Sequence, residues 1–582
     1  MFFKNDFGNL VGFFGWKGVG VREIVTCGGI RKMKNLIFLL ILFAANHKVL
    51  SQNSWVWANQ ILGRSWNQGY DISTDSENNV YVVGFFEDTI QFSNQTFGDG
   101  CQYYCQTGFV VKYGYDGTLG WANVFNTSYS SFVEEIAIDH EDNIIIAGTF
   151  FGDVWIGPYH LQNPSLQDYV FVAKINPQGD VLWVRQGSCL NQIGITSLAV
   201  DNANNIYAAG INWDQANFDN LIVPDAGMFI VKFNANGTPL NVINESGCVA
   251  YSIAVADDYN LYLSGKIYAT SVLGSDTVEP FGYYQIQYIE NDTDTVYVTS
   301  SDLLFIRYDS LGNVIWHRSA TSKGYNDIRA SALDANSNFY VTGTIGDTTN
   351  FWGTTVPYNL INKTYLLKLD SLGNVSWVKQ SSSISNNGRI YFTDITCKND
   401  FLYLVGIPFE QSSFGGVIFN SPSNKQSTFI LKLDTDGNGI LLKMDTTNFA
   451  RNEPRAISID ENDDFLLTGF FEDSVHFDEH YLNAVNNPDL NMFVAKMHIG
   501  PIGITETSTI STIIYPNPAT EIITIKGDTP ARITLCNTIG QTVAEFSNTN
   551  QIYVGSLAKG MYVLQLYDIK GELLKTEKVV KE

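Results

Sequence analysis

The sequence is poor in charged residues, and positive charge is scarcest. Only 16% of its 582 residues are charged, with 35 Lys and Arg against 59 Asp and Glu, which gives a formal net charge of −24. This charge repels phosphate backbones and anionic lipid surfaces alike. We therefore expect no nucleic-acid partner.

Long hydrophobic runs are also lacking. The apolar run Leu36–Ala45 follows several basic residues and is too short to span a membrane. It predicts a signal peptide over residues 33–51 that is cleaved before Gln52, which leaves no transmembrane segment. Residues 1–32 resemble neither a signal nor a domain, so we expect an upstream extension or a mis-assigned start, with translation beginning at Met33.

Cysteine is scarce, and its positions suggest a single disulfide. Cys101 and Cys105 flank a three-residue segment in a Gly-rich loop, which suits a small loop-closing bridge in an exported protein. A zinc site would need further ligands nearby, and the sequence supplies none there. We expect the other cysteines of the mature chain to be small buried hydrophobes.

Aromatic residues, at 13%, and glycine are abundant, as is typical of short strands joined by many turns. One pattern recurs seven times along the chain. It consists of an apolar strand, a turn rich in Asp and Asn, a second strand ending in Gly, a variable stretch, a strand carrying Lys or Arg, and a strand that often begins with Trp. The glycines are Gly84, Gly148, Gly210, Gly265, Gly343, Gly406 and Gly469, and the basic residues are Lys112, Lys174, Lys232, Arg307, Lys368, Lys432 and Lys496.

Each repeat supplies four short strands, and a fixed period of this kind predicts an all-β seven-bladed β-propeller over residues 52–499. The seventh repeat stops at Lys496 without a fourth strand. A spare strand stands near the mature N-terminus, where Trp57, Ala58 and Asn59 match the fourth strand of the first repeat. We therefore expect the N-terminal strand to complete the last blade, which removes the open seam.

The first copy of the repeat contains the segments DSENNVYVVG and FVVKYGYDGTLGW. This pattern resembles the β-propeller repeat of secreted bacterial proteins, and the resemblance covers roughly residues 55–498. It implies the fold but no activity.

The composition of the sequence changes after the predicted propeller. Residues 500–512 are rich in Ser, Thr and Ile and are expected to be a linker, and residues 513–582 contain short strands with different turn signals. The blocks YPNPA, ITLCNTIGQTV and LAKGMYVLQL resemble the type A C-terminal sorting domain of the type IX secretion system. The carrying residues include Tyr515, Pro516, Asn517, Pro518, Gly540 and Gly560.

This second resemblance implies a destination. It implies contact with the outer-membrane secretion machinery, passage across the outer membrane of a Gram-negative bacterium, and removal of the sorting domain. The protein would then be released or attached to surface lipopolysaccharide. We expect the domain itself to be a small β-sandwich, and an ordinary sandwich without an export role is the alternative.

Two local motifs suggest metals, and each has a simpler explanation. His476 and His480 fit the H-x-x-E-H spacing of zinc proteases, but that motif requires a helix, and the segment aligns with a strand and its exit in the first repeat. Asp434, Asp436 and Asn438 fit the start of a calcium loop, but the same turn in two other repeats is DSLGN, which lacks the second ligand. We interpret it as a hairpin turn, with calcium as the weaker alternative, and expect no cofactor.

Because a feature that recurs seven times belongs to the scaffold, a single ligand site should consist of departures from the repeat. The fourth repeat carries an insertion with Tyr283, Tyr284 and Tyr288 among acidic residues. Exposed tyrosines above carboxylates would suit a sugar or a protein partner. The alternative is an extra β-hairpin that packs its tyrosines on the blade. The third and sixth repeats have Asn241 and Leu441 where Trp is expected.

The sequence contains no G-x-S-x-G, no phosphate-binding Gly loop and no dinucleotide fingerprint. Catalytic groups in a propeller can come from separate blades, so an enzyme stays open. We expect a secreted or surface-displayed binding or structural module with a protein or glycan ligand. The alternative is a secreted hydrolase or lyase acting on polysaccharide or peptide through residues in the channel. An asymmetric, acid-lined channel would favour the enzyme.

Overall fold

The computed structural model describes most of the chain after residue 53. The described residues are 54–582 except 99–104, 165–166, 282, 287–295, 300–301, 359–362, 423–425, 448–450, 485–490, 500–512, 527–528, 538–541 and 568–572. The predicted signal peptide, the segment before it, the linker, Cys101, Tyr288 and Gly540 lie outside these ranges. No helix within them is long and apolar enough to cross a membrane.

The described residues of the repeat region form seven sheets, each built on four antiparallel strands in the order of the repeat. We number these blades 1 to 7 along the chain. From the innermost strand outward, the strands are Asn67–Thr74, Val80–Glu87, Gln106–Tyr113 and Leu119–Phe125 in blade 1; Ser130–Ile138, Ile144–Phe151, Tyr169–Ile175 and Val181–Cys189 in blade 2; Ile193–Val200, Ile206–Asn212, Gly227–Phe233 and Pro239–Ser246 in blade 3; Cys248–Val255, Leu261–Ile267, Asp302–Tyr308 and Val314–Ala320 in blade 4; Asn326–Leu333, Phe339–Ile345, Lys363–Leu369 and Val375–Gln380 in blade 5; Arg389–Lys398, Phe401–Phe409, Phe429–Asp434 and Gly439–Met444 in blade 6; and Asn452–Ile459, Phe465–Phe471, Asn491–His498 and Ser54–Gly63 in blade 7.

The ring is closed. The innermost strand of each blade contacts those of both neighbours, including the contact between blades 7 and 1. The N-terminal strand pairs antiparallel with Asn491–His498, with Trp57 opposite Lys496 and Ala58 opposite Ala495. The predicted propeller, with the N-terminal strand as the last strand of the last blade, is confirmed.

The hydrophobic core lies between the blades. Seven clusters of buried residues occur in the described part of the repeat region, and each combines side chains from two adjacent blades. Between blades 7 and 1, for example, Met492 and Val494 pack with Val80 and Val82, and all four are fully buried. A sheet covered on both faces explains why the second strands are continuously apolar.

The extra length of the repeats forms peripheral β-hairpins between the second and third strands. They are Thr89–Phe92 with Gln95–Gly98, Val154–Ile156 with Tyr159–Leu161, Ala216–Phe218 with Leu221–Val223, Ser271–Leu273 with Asp276–Val278, Tyr283–Ile286 with Val296–Thr299, Thr349–Phe351 with Thr354–Val356, Gln411–Phe414 with Val417–Asn420, and Ser474–Phe477 with His480–Asn483. The short strands Ser382–Ser383 and Thr446–Thr447 extend two of them.

The recurring polar residues hold the scaffold together. In blade 1, Asp75 Oδ1 accepts a hydrogen bond from the backbone N–H of Asn79 at 2.8 Å, and Lys112 Nζ lies 3.7 Å from Asp75 Oδ2. The indole Nε1 of Trp121 donates to the carbonyl of Pro177, in the turn between the third and fourth strands of blade 2, at 3.1 Å. The repeated Asp, Asn, Lys and Trp are therefore structural.

Ring closure explains the missing tryptophan of the sixth repeat. Trp377 of blade 5 donates to the carbonyl of Thr435, again in the turn between the third and fourth strands of the next blade. Blade 7 has no such turn, because its fourth strand comes from the N-terminus. At Leu441, a tryptophan would therefore have no equivalent carbonyl to reach.

The C-terminal domain consists of two sheets. One has the strands Ile513–Tyr515, Ile522–Lys526 and Gln551–Tyr553, and the other has Thr542–Ser547, Arg532–Cys536, Gly560–Tyr567 and Leu573–Lys581. Side chains from both sheets share one buried core, including Ile523 and Leu564. This arrangement agrees with the predicted small sandwich.

Candidate ligand site in the central channel

Every innermost strand carries a β-bulge at the same position, so one residue per blade is left out of the strand pairing. These seven residues, which we call the bulge ring, are Tyr70, Glu134, Thr196, Tyr251, Arg329, Thr393 and Arg455. All except Glu134 line a cavity of about 380 Å³ in the channel. Bulges of this kind commonly redirect a side chain towards a functional site.

The bulges also explain the repeated glycine of the second strands. A Cβ on Gly343 would overlap the carbonyl oxygen of Asp327, and a Cβ on Gly148 would overlap that of Phe132. A Cβ on any of the other five repeat glycines would likewise overlap a carbonyl oxygen of the innermost strand. The glycine is therefore scaffold, whereas the bulged residue beside it differs from blade to blade.

The position after each bulge carries an acid in three blades. The carboxylate of Asp71 accepts hydrogen bonds from the backbone N–H groups of Ile72, at 2.7 Å, and of Ile136 in blade 2, at 2.9 Å. Asp394 repeats this arrangement with Ile395 and with Ile457 of blade 7, both at 2.8 Å. These two carboxylates therefore connect neighbouring blades.

Burial changes the protonation of these acids. It raises the pKa of Asp71 to about 6 and that of Asp394 to about 7, although the backbone hydrogen bonds act in the opposite direction. Burial, followed by the nearby carboxylate of Asp71, also holds the pKa of Glu135 well above its usual range. The equivalent residues in the other blades are Ser197, Ser252, Ala330 and Ala456. The channel is thus acid-lined on some blades only.

A group of cations gathers on blades 4, 5 and 7, near the ends where the innermost strands begin. Asp327 pairs with both Lys266 Nζ and Arg329 Nη2, each at 3.1 Å. Glu453 pairs in the same way with Arg451 at 3.0 Å and with Arg455 at 3.2 Å. We call these four cations and two carboxylates the basic cluster, and it carries an excess of positive charge.

Aromatic rings accompany the basic cluster. Lys266 Nζ lies 4.4 Å from the ring centre of Tyr325 and 5.1 Å from that of Tyr251. A second cavity, of about 400 Å³, is lined by Tyr325, Tyr391 and Phe409 together with Arg329, Thr393 and Arg455 of the bulge ring. The two cavities share those three bulge-ring residues, so together they offer one polar channel with an aromatic side wall.

Blades 1 and 2 supply a different environment. Glu134 Oε2 accepts a hydrogen bond from Thr149 at 2.8 Å, and burial raises the pKa of Glu134 to about 7. Burial, with a smaller contribution from Glu134, raises the pKa of Tyr70 to about 12. Burial therefore shifts both groups towards their neutral forms, and this side of the channel has no cations to match those of the basic cluster in the described lining.

The tyrosines predicted to bind a ligand lie on an extra hairpin. Tyr283 and Tyr284 are in the strand Tyr283–Ile286, which pairs with Val296–Thr299, and Tyr288 lies outside the described residues. The hairpin itself agrees with the structural alternative for this insertion. A ligand-binding role for these tyrosines stays a prediction.

The metal motifs occupy ordinary hairpins. His476 lies in the strand Ser474–Phe477, and His480 begins the paired strand after a short turn, so the H-x-x-E-H segment is a strand and its exit, as expected, within a β-hairpin. Asp434 Oδ1 accepts from the backbone N–H groups of Asp436, at 3.0 Å, and of Asn438, at 2.8 Å, as in the other turns of this kind. No group of three potential ligands occurs in the described part of the chain.

The structure describes one of the two cysteines of the predicted disulfide. Cys105 is disulfide-bonded, and Cys101 lies outside the described residues, so their pairing stays a prediction. Cys189, Cys248 and Cys536 are buried, as expected, whereas Cys397 is partly exposed.

Sequence reasoning missed the bulge ring and the basic cluster. The available signal was a variable residue at a nearly constant distance before each repeated glycine. This residue matters because the bulge points it into the channel. No residue type in the strand marks the position of the bulge, so the sequence does not reveal it.

In the sorting domain, the YPNPA block anchors the last strand. Asn517 Nδ2 donates to the carbonyl of Lys578 at 2.6 Å, and Asn517 Oδ1 accepts from the N–H of Val580 at 2.9 Å. Ala519 adds a backbone hydrogen bond to the carbonyl of Val580 at 2.7 Å. The motif therefore fixes the strand Leu573–Lys581 against the start of the domain.

Residues 513–582 match the family model of the secretion system C-terminal sorting domain. This confirms the interpretation of the C-terminus as a type IX sorting domain, which directs export and contacts the secretion machinery.

An uncharacterised WD repeat-containing protein of Acanthamoeba polyphaga mimivirus is 25% identical, over 72% of this chain. The chain spans 36% of the length of that relative. Two solved structures, each 7% identical, cover 76% of this chain: the Dos1 propeller, with a TM-score of 0.37 over 94% of its chain, and U3-55K, with a TM-score of 0.39 over 99% of its chain.

Proposed function

We propose that this protein is an exported β-propeller module that binds a ligand in its central channel. The observation that carries the proposal is the bulge ring: seven equivalent positions hold two arginines, two tyrosines, two threonines and one glutamate. A purely structural position in a repeat would be expected to keep one residue type, as the neighbouring glycine does. Variation at equivalent positions of which six line one cavity is typical of a single asymmetric site.

The proposed location is the exterior of a Gram-negative cell, either in the medium or on the outer surface. The sorting domain supports it, together with the signal peptide predicted over residues 33–51. The strand that closes the ring begins at Ser54, shortly after the expected cleavage site. Signal removal would leave this strand intact.

The location is tested by fractionating producing cells and measuring the intact mass of the exported protein. We expect loss of the last seventy or so residues and no export of a chain truncated before Ile513. Export of the truncated chain, or retention of the domain in the exported protein, would contradict the proposal.

The binding role is tested on the chain from residue 52 to residue 582 by isothermal titration calorimetry. The probes are dextran, polygalacturonate, dextran sulfate and poly-L-glutamate. Binding of at least one probe that Arg329→Gln weakens supports a channel site. If no probe binds, or if Arg329→Gln leaves all binding unchanged, the channel is not the ligand site.

The second candidate is a hydrolase or lyase that acts on polysaccharide or peptide. The uneven distribution of acids in the channel favours it, and Glu134, which adjoins the cavity-lining Glu135 and has a pKa of about 7, could exchange a proton near neutral pH. Asp71 and Asp394, however, are occupied by backbone hydrogen bonds between blades. The assay measures new reducing ends from the polysaccharide probes and new amino termini from the polypeptide probe. This candidate is established if the protein produces either product and Glu134→Gln does not.

A further inference from the structure

We infer that the channel site takes an anionic saccharide, a pyranose chain that carries carboxylate or sulfate groups. The inference rests on the proposed function, since it specifies the ligand of the same site. It depends on three features: the local excess of cations in the basic cluster, the aromatic side chains beside that cluster, and the hydroxyl groups of a channel lining that also holds the carboxyl groups of Asp71, Glu135 and Asp394.

The excess of cations is unusual for this chain. The protein has a formal net charge of −24, yet in the basic cluster four cations share two carboxylates, those of Asp327 and Glu453. Arg389 adds a further cation beside the same cavity, over the rings of Tyr391 and Phe409. A local cationic site inside an anionic protein attracts an anionic group to that place and not to the rest of the surface.

Arg329 is the residue best placed to contact such a group. Its side chain is 53% exposed, and its Nη2 is paired with Asp327. In the part of the chain that the structure describes, its other N–H groups have no partner. A guanidinium with unused N–H groups binds carboxylate and sulfate oxygens with matching geometry.

Arg455 has a different role. Its Nη1 is paired with Glu453 at 3.2 Å, and it also donates to the side-chain oxygen of Gln68. Its guanidinium is thus held in one orientation. We therefore assign Arg455 to positioning and to electrostatic attraction, and Arg329 to direct contact.

The aromatic and hydroxyl groups favour a sugar. Tyr325 is 58% exposed and supplies the accessible ring of the side wall next to Arg329, whereas Tyr391 and Phe409 of the same wall are half-buried beside Arg389. Ring faces of this kind pack against the C–H face of a pyranose, and the hydroxyls can share hydrogen bonds with sugar hydroxyls. The hydroxyl groups that line the channel belong to Thr196, Ser197, Ser252, Ser331, Thr393 and Thr396.

An acidic peptide fits less well. The innermost strands are the edges of their sheets, but the N–H groups of Ile136, Ile253 and Ile457 on these edges already donate to Asp71, Ser197 and Asp394 of the neighbouring blade, which hinders the addition of an extended peptide. The channel lining, as just described, is mainly hydroxyl and charged groups, whereas peptide side chains are usually anchored in apolar pockets. We therefore commit to the saccharide.

The test compares four polymers on the chain from residue 52 to residue 582. Polygalacturonate carries carboxylates, dextran sulfate carries sulfate esters, dextran is neutral, and poly-L-glutamate is an anionic peptide. We expect an anionic polysaccharide to bind at least roughly tenfold more tightly than dextran and poly-L-glutamate, and added salt to weaken this binding. Whichever of the two anionic polysaccharides binds better identifies the anionic group.

Variants connect the binding to the site. Arg329→Gln should weaken binding roughly tenfold or more, and Tyr391→Ala should weaken it without changing the dependence on salt. Arg532→Gln is the matched control, because Arg532 is similarly exposed (45%), is paired with Glu545 and lies in the sorting domain. It should bind as the unmodified chain does, and circular dichroism verifies that each variant is folded.

The outcomes separate the two proposals. If dextran binds as tightly as the anionic polysaccharides and Arg329→Gln weakens its binding, the channel site is supported but its ligand need not be anionic, and the inference is overturned. Preference for poly-L-glutamate would overturn the saccharide in favour of a peptide. If Arg329→Gln and Arg532→Gln change the binding of the anionic polysaccharides equally, both the channel site and its proposed ligand are overturned.

Discussion

The indole Nε1 of Trp57 donates a hydrogen bond to the backbone oxygen of Tyr115 at 3.2 Å, although one residue belongs to blade 7 and the other to blade 1. Trp57 is buried, and its ring also lies against Gly117 in the same turn. The contact repeats, across the point of ring closure, the one that Trp121 makes between blades 1 and 2. The strand Ser54–Gly63 is therefore bound on both sides.

Trp57→Ala should destabilise the propeller by about 3–5 kcal/mol, because it removes a large buried side chain and a hydrogen bond between blades. The midpoint of urea unfolding measures the effect. Trp155→Ala is the control, since Trp155 is 41% exposed and stacks on His160 in a peripheral hairpin. We expect a change of about 0.5 kcal/mol for the control. Equal effects would show that ring closure does not depend on Trp57.

Gly343→Ala should destabilise the fold by at least about 1–3 kcal/mol, because its Cβ would overlap the backbone oxygen of Asp327 and the bulge would have to move. Gly194→Ala is the matched control within an innermost strand, where a Cβ would meet open space. The unfolding midpoints of the two variants give the comparison. Displacement of the bulge should also reduce binding of the polymer that the unmodified chain binds, since the bulged residue Arg329 follows Asp327 by two positions in the same strand. Equal stability of both variants would show that the repeated glycine is not needed for the bulge.

The stability of the propeller should decrease as the pH rises through the range of about 4 to 7. Asp394 has a folded-state pKa of about 7, raised mainly by burial, and an unfolded-state value near that of a free Asp. The folded state therefore binds more protons in this range, and its contribution to stability is lost as the pH rises through the folded pKa. Unfolding by urea at pH 4, 5, 6 and 7 measures this slope.

Asp394→Asn should flatten that slope by up to about 1.4 kcal/mol per pH unit, even though losing the inter-blade hydrogen bond lowers stability at every pH. Asp309→Asn is the control with the opposite sign. Hydrogen bonding by Asn313 holds the pKa of the exposed Asp309 below its usual range, so its contribution is lost as the pH falls. If Asp394→Asn keeps the slope of the unmodified chain, Asp394 is not protonated in this range.

Asn517→Ala should loosen the last strand of the sorting domain, because it removes hydrogen bonds to Lys578 and from Val580. We expect amide hydrogen exchange in Leu573–Lys581 to become roughly tenfold faster, and the exported fraction to fall. Glu545→Gln is the control, since its pairing with Arg532, at 3.9 Å, is exposed and weak. Unchanged exchange in Asn517→Ala would show that the motif does not anchor this strand.

The repeats made most of the fold predictable. Gly84 and its six equivalents, together with Lys112 and the recurring Asp-rich turns, mark four strands per unit, and the surplus strand around Trp57 predicts how the ring closes. These features are periodic because each blade contacts only its neighbours and meets the same local requirements. The sorting domain was predictable for a different reason, since its motif residues are contiguous and Asn517 acts within its own domain.

The candidate site was not predictable in the same way. The tyrosines of the insertion looked like a ligand site because they are conspicuous in sequence, whereas Arg329 and Arg455 each appear as one variable residue in a strand. These two arginines line the same cavity only because the innermost strands of different blades meet around one channel.

The sequence by itself therefore determined the number of strands per unit, the number of units, the closing strand and the export domain, because each follows from local patterns or from contiguous motifs. Only the tertiary structure decided which residues face the channel. A β-bulge leaves one residue out of strand pairing, and this places Arg329, Tyr251 and Thr393 around a common cavity. The physical reason is that a channel site is formed by residues distant in sequence, whose proximity arises only when the ring closes.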